Sequence, residues 1–156
     1  MFTLLEPKAY LSSPSYSLAK DLNFLASLCR ESSKRYALAT ELVSSSELRS
    51  IFQKEEQERA RFSEELKRCL TNAAQDLISS NVPNEPVLCW TTLISETSTD
   101  KGILEYCIDG ENHVLDIYAY HLSKSLPLYV SKTLNEQHSL IEQSKFTLLT
   151  YINKLS

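Results

Sequence analysis

Glycine is almost missing from this chain: two in 156 residues, Gly102 and Gly110. Phosphate-cradling loops, dinucleotide fingerprints and nucleophile elbows all need glycines closer together than these, so none of the three can be written. Hairpin-rich β folds also lean on glycine turns, which leaves an all-α chain as the expectation. Long hydrophobic runs are lacking too. No segment approaches the roughly 20 apolar residues that cross a bilayer, and no membrane span is expected. The opening "MFTLLEPKAYL" has no basic region followed by a long apolar run. It does not read as a signal peptide, and a cytoplasmic location is the expectation. Excess positive charge is absent: the net charge is −4 and the bases are scattered among acids, so no nucleic-acid partner is expected. Cys29, Cys69, Cys89 and Cys107 lie too far apart for a metal knuckle or a redox pair, and read as small buried hydrophobes.

What is present is a chain with 42% apolar and 23% charged residues, the balance of one globular domain with its own core. Residues 1–14 form an N-terminal arm carrying Phe2, Leu4, Leu5, Tyr10 and Leu11, more apolar surface than a free tail should expose. The arm is expected to pack on the bundle or on a second copy of the chain, as in a homodimer. Residues 15–156 read as four long helices. The first runs from about Ser15 to Val43, with Leu18, Leu22, Leu25, Leu28, Cys29, Ala39, Leu42 and Val43 on its apolar side. Ser44 and Glu47 then have capping-box spacing, so the turn is short and the second helix, about Ser46 to Ser79, folds back on the first. Helix two should bury Leu48, Phe52, Phe62, Leu66, Cys69 and Leu70. Helix three is "KGILEYCIDGENHVLDIYAYHL", with Ser98, Thr99 or Asp100 as its cap. Ser125 and Pro127 should open helix four, which should bury Val130, Leu134, Ile141, Leu148, Leu149 and Ile152.

Between helices two and three, "SSNVPNEP" breaks the pattern, "PVLCWTTLI" fits a short helix and "SETSTDKG" breaks it again. Helix two is about 45 Å long at ~1.5 Å per residue, and the connector is long enough to return along it. Two tight hairpins and one long connection spell a four-helix bundle with a single crossover containing a short helix, the ferritin-like arrangement. Trp90 should be buried where that connection covers the bundle.

Four stretches in this order resemble a bacterial family of small ferritin-like four-helix bundles, a domain of unknown function. They are "LNFLASLCRESSKRYALA", "LRSIFQKEEQERARFSEEL", "ILEYCIDGEN" and "LPLYVSKTLNEQHSLIEQSK", spanning about Leu22 to Leu155. The resemblance implies a ferritin-like fold and offers no settled activity. It also implies places for metal-binding carboxylates: Glu31 on helix one, Glu55 with Glu58 on helix two, and Glu111 on helix three. Gln137 resembles the family's glutamine on helix four, and Lys145 stands where the family's later histidine would be.

A di-iron carboxylate site wants a Glu-x-x-His from each of two helices. None of His113, His121 and His138 follows a glutamate by three residues, and all three read as solvated or capping. Lys145 and Arg59 can instead neutralise inward carboxylates, which unpaired would protonate or destabilise the fold. Two readings follow. One is a non-enzymatic bundle acting through self-association or an unknown protein partner, with no cofactor and an internal ion-pair network of Glu31, Glu55, Glu58, Arg59, Glu111, Gln137 and Lys145. The other is an iron- or manganese-binding ferritin-like protein with oxidase or iron-handling activity. Gly110 poses its own question. A poor helix former beside Glu111 either lets a neighbouring helix come close or relieves crowding by Tyr106 or Tyr36.

Overall fold

A computed structural model describes residues 14–73 and 99–155. The arm, the "PVLCWTTLI" helix, Cys89 and Trp90 lie outside these described residues, as do positions 74–79 of the expected second helix. Within them the chain is all-α, with four helices: α1 Pro14–Leu42, α2 Ser46–Ala73, α3 Asp100–Leu122 and α4 Leu128–Lys154. No described helix is long and apolar enough to cross a membrane.

The turn at 43–45 folds α2 back on α1. Its cap is Ser45, whose Oγ accepts from Leu48 N at 3.2 Å. The Ser44–Glu47 box is not what closes it. The backbone N–H groups of Ser44 and Ser45 donate instead to the two carboxylate oxygens of Asp100, at 2.8 and 3.0 Å. An aspartate at the start of α3 thus meets the positive N-terminal end of α2, where a carboxylate is favoured. Thr99 caps α3, accepting from Gly102 N at 3.1 Å. At the second turn Pro127 takes the N-cap position with no side-chain cap bond, so Ser125 does not cap α4.

These contacts set directions. Asp100 joins the start of α3 to the α1–α2 turn, and Lys124 Nζ, just past α3, donates to Asp21 near the start of α1 at 2.9 Å. Helices α1 and α3 are therefore antiparallel. Near the same end as Asp21, Cys69 late in α2 lies 3.7 Å from Thr133 early in α4. Ala73 and Asp100 consequently stand at opposite ends of the bundle.

The buried side chains fall into two clusters. One holds Leu22, Leu25, Leu28, Cys29, Phe62, Leu66, Val114, Tyr118, Leu134 and Ile141. The other holds Tyr36, Ala39, Val43, Leu48, Phe52, Ile103, Leu104, Cys107 and Leu148. Nearly every expected core residue is buried or packed against these clusters. Leu149 is the exception, 38% exposed, because one residue past Leu148 turns it about 100° off the inward stripe.

Candidate functional site

Between the two apolar clusters lies a buried layer of charge. Arg35, Arg59, Glu111 and Glu55 are at most 8% exposed. Each is delivered by the same helical stripe that carries the core. On α1 the stripe runs Leu28, Ser32, Arg35, Ala39; on α2 it runs Phe52, Glu55, Arg59, Phe62; on α3, Cys107, Glu111, Val114. The spacing that buries leucines buries these charges too.

Arg59 is the hub. Its Nη2 donates to Glu111 Oε2 at 2.8 Å and to Glu55 Oε2 at 3.2 Å, and its Nη1 reaches Glu111 Oε1 at 3.5 Å. Arg35 Nη2 stands 3.6 Å from Glu111 Oε1 and donates to Ser32 Oγ at 3.4 Å. Ser144 of α4 closes the layer, donating to Glu55 Oε2 at 2.7 Å. Two guanidinium groups balance two carboxylates. The aromatic rings of Tyr36 and Phe62 face the Arg59 guanidinium at 5.7 and 5.6 Å. Burial works against charge on Arg59, but Glu111, then Tyr36 and Glu55, outweigh it and raise its pKa. Burial lifts Glu55 above the ordinary carboxylate value, against the pull of Arg59 and Ser144. The Tyr36 phenol, fully buried beside the layer, is driven well above its usual range by burial and then by Glu111.

Gly110 is explained by Arg35. A Cβ on Gly110 would stand 2.5 Å from Arg35 Cζ and 2.7 Å from Nη1, so the buried guanidinium would have to shift to admit it. The glycine makes the recess in α3 into which the flat guanidinium lies. Neither Tyr106 nor Tyr36 is the crowding group.

A second polar string crosses the cluster that holds Leu22, Leu25 and Tyr118. Tyr118 Oη donates to Gln137 Oε1 at 2.7 Å, and Gln137 Nε2 donates to Glu65 Oε1 at 3.0 Å and Phe62 O at 3.3 Å. With the phenolic proton used there, the Cys29 thiol, 3.0 Å away, donates to Tyr118. Burial pushes that thiol up to about 11. All four helices take part.

The structure thus brings together Glu55, Arg59 and Glu111 of the expected network, and places Gln137 in the neighbouring string. It does not bring in the rest. Glu31 is 23% exposed and pairs with Lys34 on the surface at 3.3 Å. Glu58 is half-buried near Arg61 at 3.9 Å. Lys145 is half-buried and makes no ion pair with the layer among the described residues. The inward positions are their neighbours Ser32 and Ser144. A single-residue step rotates a helical side chain by about 100°, enough to turn it from core to edge. Arg35 was the missed member; its place on the Leu28–Ser32–Ala39 stripe was the available signal.

Of the histidines, His113 is exposed, and His138 lies 3.1 Å from Glu142 on the outer side of α4. His121 is buried, 6% exposed, contrary to the solvated reading. Among the described residues no group of three or more His, Cys, Asp or Glu side chains is arranged to hold a metal ion. Solvent approaches the layer through a cleft of about 150 Å³ between α2 and α4, with Glu55 and Ser144 in its wall. No protein-family model and no curated protein matches the chain.

Proposed function

We propose that this protein is a non-enzymatic helical bundle that acts through self-association or by binding a protein partner. In this reading its centre is a ferritin-like metal site converted into an ion-pair layer. One observation carries it: the middle of the bundle is filled by Arg35 and Arg59, charge-matched to Glu55 and Glu111, with Gly110 recessed to admit one guanidinium. Guanidinium groups take up the carboxylate oxygens that would ligate a cation, and their own charge opposes one. The opposite placement of Ala73 and Asp100 supports the crossover connection of a ferritin-like bundle over residues 74–98. A dimer in the cytoplasm completes the proposal.

The test joins metal content to mass. After anaerobic purification, elemental analysis should find far less than one iron or manganese per chain, and sedimentation should find a mass above that of one chain. Stoichiometric iron or manganese supports the oxidase or iron-handling alternative instead. A monomer at all concentrations removes self-association and leaves only a heterologous partner.

A further inference from the structure

We propose that the outer face of α4 is the seam of the dimer, two copies of α4 packing antiparallel about a two-fold axis beside residue 137. The inference rests on the self-association reading above and names its surface. Helix α4 carries two stripes at alternating steps of four and three residues, the period at which helices pack side by side. One, from Val130 to Leu148, is buried in the bundle. The other, on the opposite side, is Leu128, Lys132, Asn135, Ser139, Glu142 and Phe146, all exposed. Outer stripes of bundle helices are ordinarily polar, yet this one begins and ends on apolar side chains, 84% exposed at Leu128 and 72% at Phe146. No other large hydrophobic among the described residues is as exposed.

The order of residues along the stripe points to a second copy as what covers it. A two-fold axis makes one residue meet a second while that second meets the first. Laid antiparallel on itself about residue 137, the stripe sets Leu128 against Phe146, Lys132 against Glu142 and Asn135 against Ser139. Each pair is complementary: apolar with apolar, cation with carboxylate, amide with hydroxyl. Lys132 makes no ion pair among the described residues. Glu142 Oε1 lies 3.1 Å from His138 Nδ1, which leaves Oε2 for the lysine of the second copy. Asn135 donates through Nδ2 to Ser131 O at 2.9 Å, so its Oδ1 can accept from the Ser139 hydroxyl across the axis. A parallel pairing would set Lys132 against Lys132 and Glu142 against Glu142, which like-charge repulsion disfavours. From Leu128 to Phe146 the seam is about 27 Å long at ~1.5 Å per residue and one helix wide. Contacts that narrow lie at the low end of specific interfaces, so the dimer is expected to dissociate on dilution.

The experiment reverses these charges in the full chain and follows mass by sedimentation over a range of concentration at low salt. Lys132→Glu and Glu142→Lys should each weaken the dimer at least about tenfold, because the axis makes every change count twice. An equal mixture of the two variants should restore it, since each copy then meets opposite charges on the other. The double variant Lys132→Glu/Glu142→Lys should restore it as well. Restoration also shows that the single variants are folded. Dimers that no reversal weakens form through another face, which overturns the seam and leaves self-association standing. Loss without restoration in the mixture overturns the register and with it the seam. A wild type that stays monomeric overturns the seam and self-association together.

Discussion

At the scale of single residues, Gly110 and Arg35 are one feature written on two helices. Glycine costs about 1 kcal/mol of helix propensity relative to alanine, so alanine at 110 would stabilise an isolated helix. Here a Cβ meets the Arg35 guanidinium at 2.5 Å. Gly110→Ala is therefore expected to destabilise the protein by about 1–3 kcal/mol through overpacking. In an Arg35→Ala background the same change should become neutral or stabilising. Denaturation midpoints of the two single variants and the double variant read this reversal of sign directly; equal losses in both backgrounds would detach the glycine from the arginine.

The charges divide the same way. Arg59→Leu strands Glu111 and Glu55 in the core and should cost about 3–5 kcal/mol. Lys145→Leu should change stability by no more than about 0.5 kcal/mol, since the lysine makes no pair with the layer. Urea unfolding of the two variants side by side decides the point, and a large loss from Lys145→Leu would mean that the lysine serves the layer after all. Tyr118→Phe leaves Gln137 and Cys29 without their shared hydroxyl and should cost about 1–3 kcal/mol in the same assay.

At the scale of elements, Asp100 makes a joint across three helices. Its carboxylate satisfies the Ser44 and Ser45 N–H groups at the head of α2 while the residue itself opens α3. Removing such a cap costs about 0.5–2 kcal/mol. Asp100→Ala should do so, and should speed amide exchange at Ser44 and Ser45 well before it affects mid-helix amides. Exchange measured residue by residue distinguishes this local loosening from general destabilisation, in which all amides would speed up together. Helix identity and order were legible in the sequence because apolar residues recur at helical spacing along most of the length of each of α1, α2, α3 and α4. Cap identity was less so. Ser44, Ser45, Thr99, Asp100 and Ser125 are all chemically able to cap, and which of them does so depends on what the other hairpin brings alongside.

At the scale of the whole molecule, acid stability collects opposing contributions. Burial raises Glu55 above 4.5, so its ionised form weighs against the folded state. That cost is present above its folded pKa and is relieved as the pH falls through that value toward 4.5. Asp21 works in the other direction: its pKa is depressed, so its contribution is in place above 3.8 and is lost as the pH falls through the depressed value. Stability should therefore rise on mild acidification before it falls, and Glu55→Gln should remove its part of the rise. Unfolding midpoints of both proteins from about pH 8 to about pH 3 give the difference curve that isolates Glu55; parallel curves would show that the carboxylate titrates alike in the folded and unfolded chain.

The helices, the two hairpins and most of the core were legible in the sequence, and a meeting of acidic and basic groups indoors was one of two readings it offered, the other leaving those charges at helix edges with their heads in water. Periodicity suffices for these because burial follows helical spacing, and Glu55, Arg59 and Glu111 sit on their stripes as regularly as any leucine. Only the tertiary structure decided which charges face one another. Glu31 and Lys145 are one residue off the inward line, a step of about 100°, and no pattern within one helix reveals the rotation at which its neighbour packs. The same holds for Gly110. Its recess has meaning only against Arg35, a residue 75 positions away in the chain but in van der Waals contact across the α1–α3 seam.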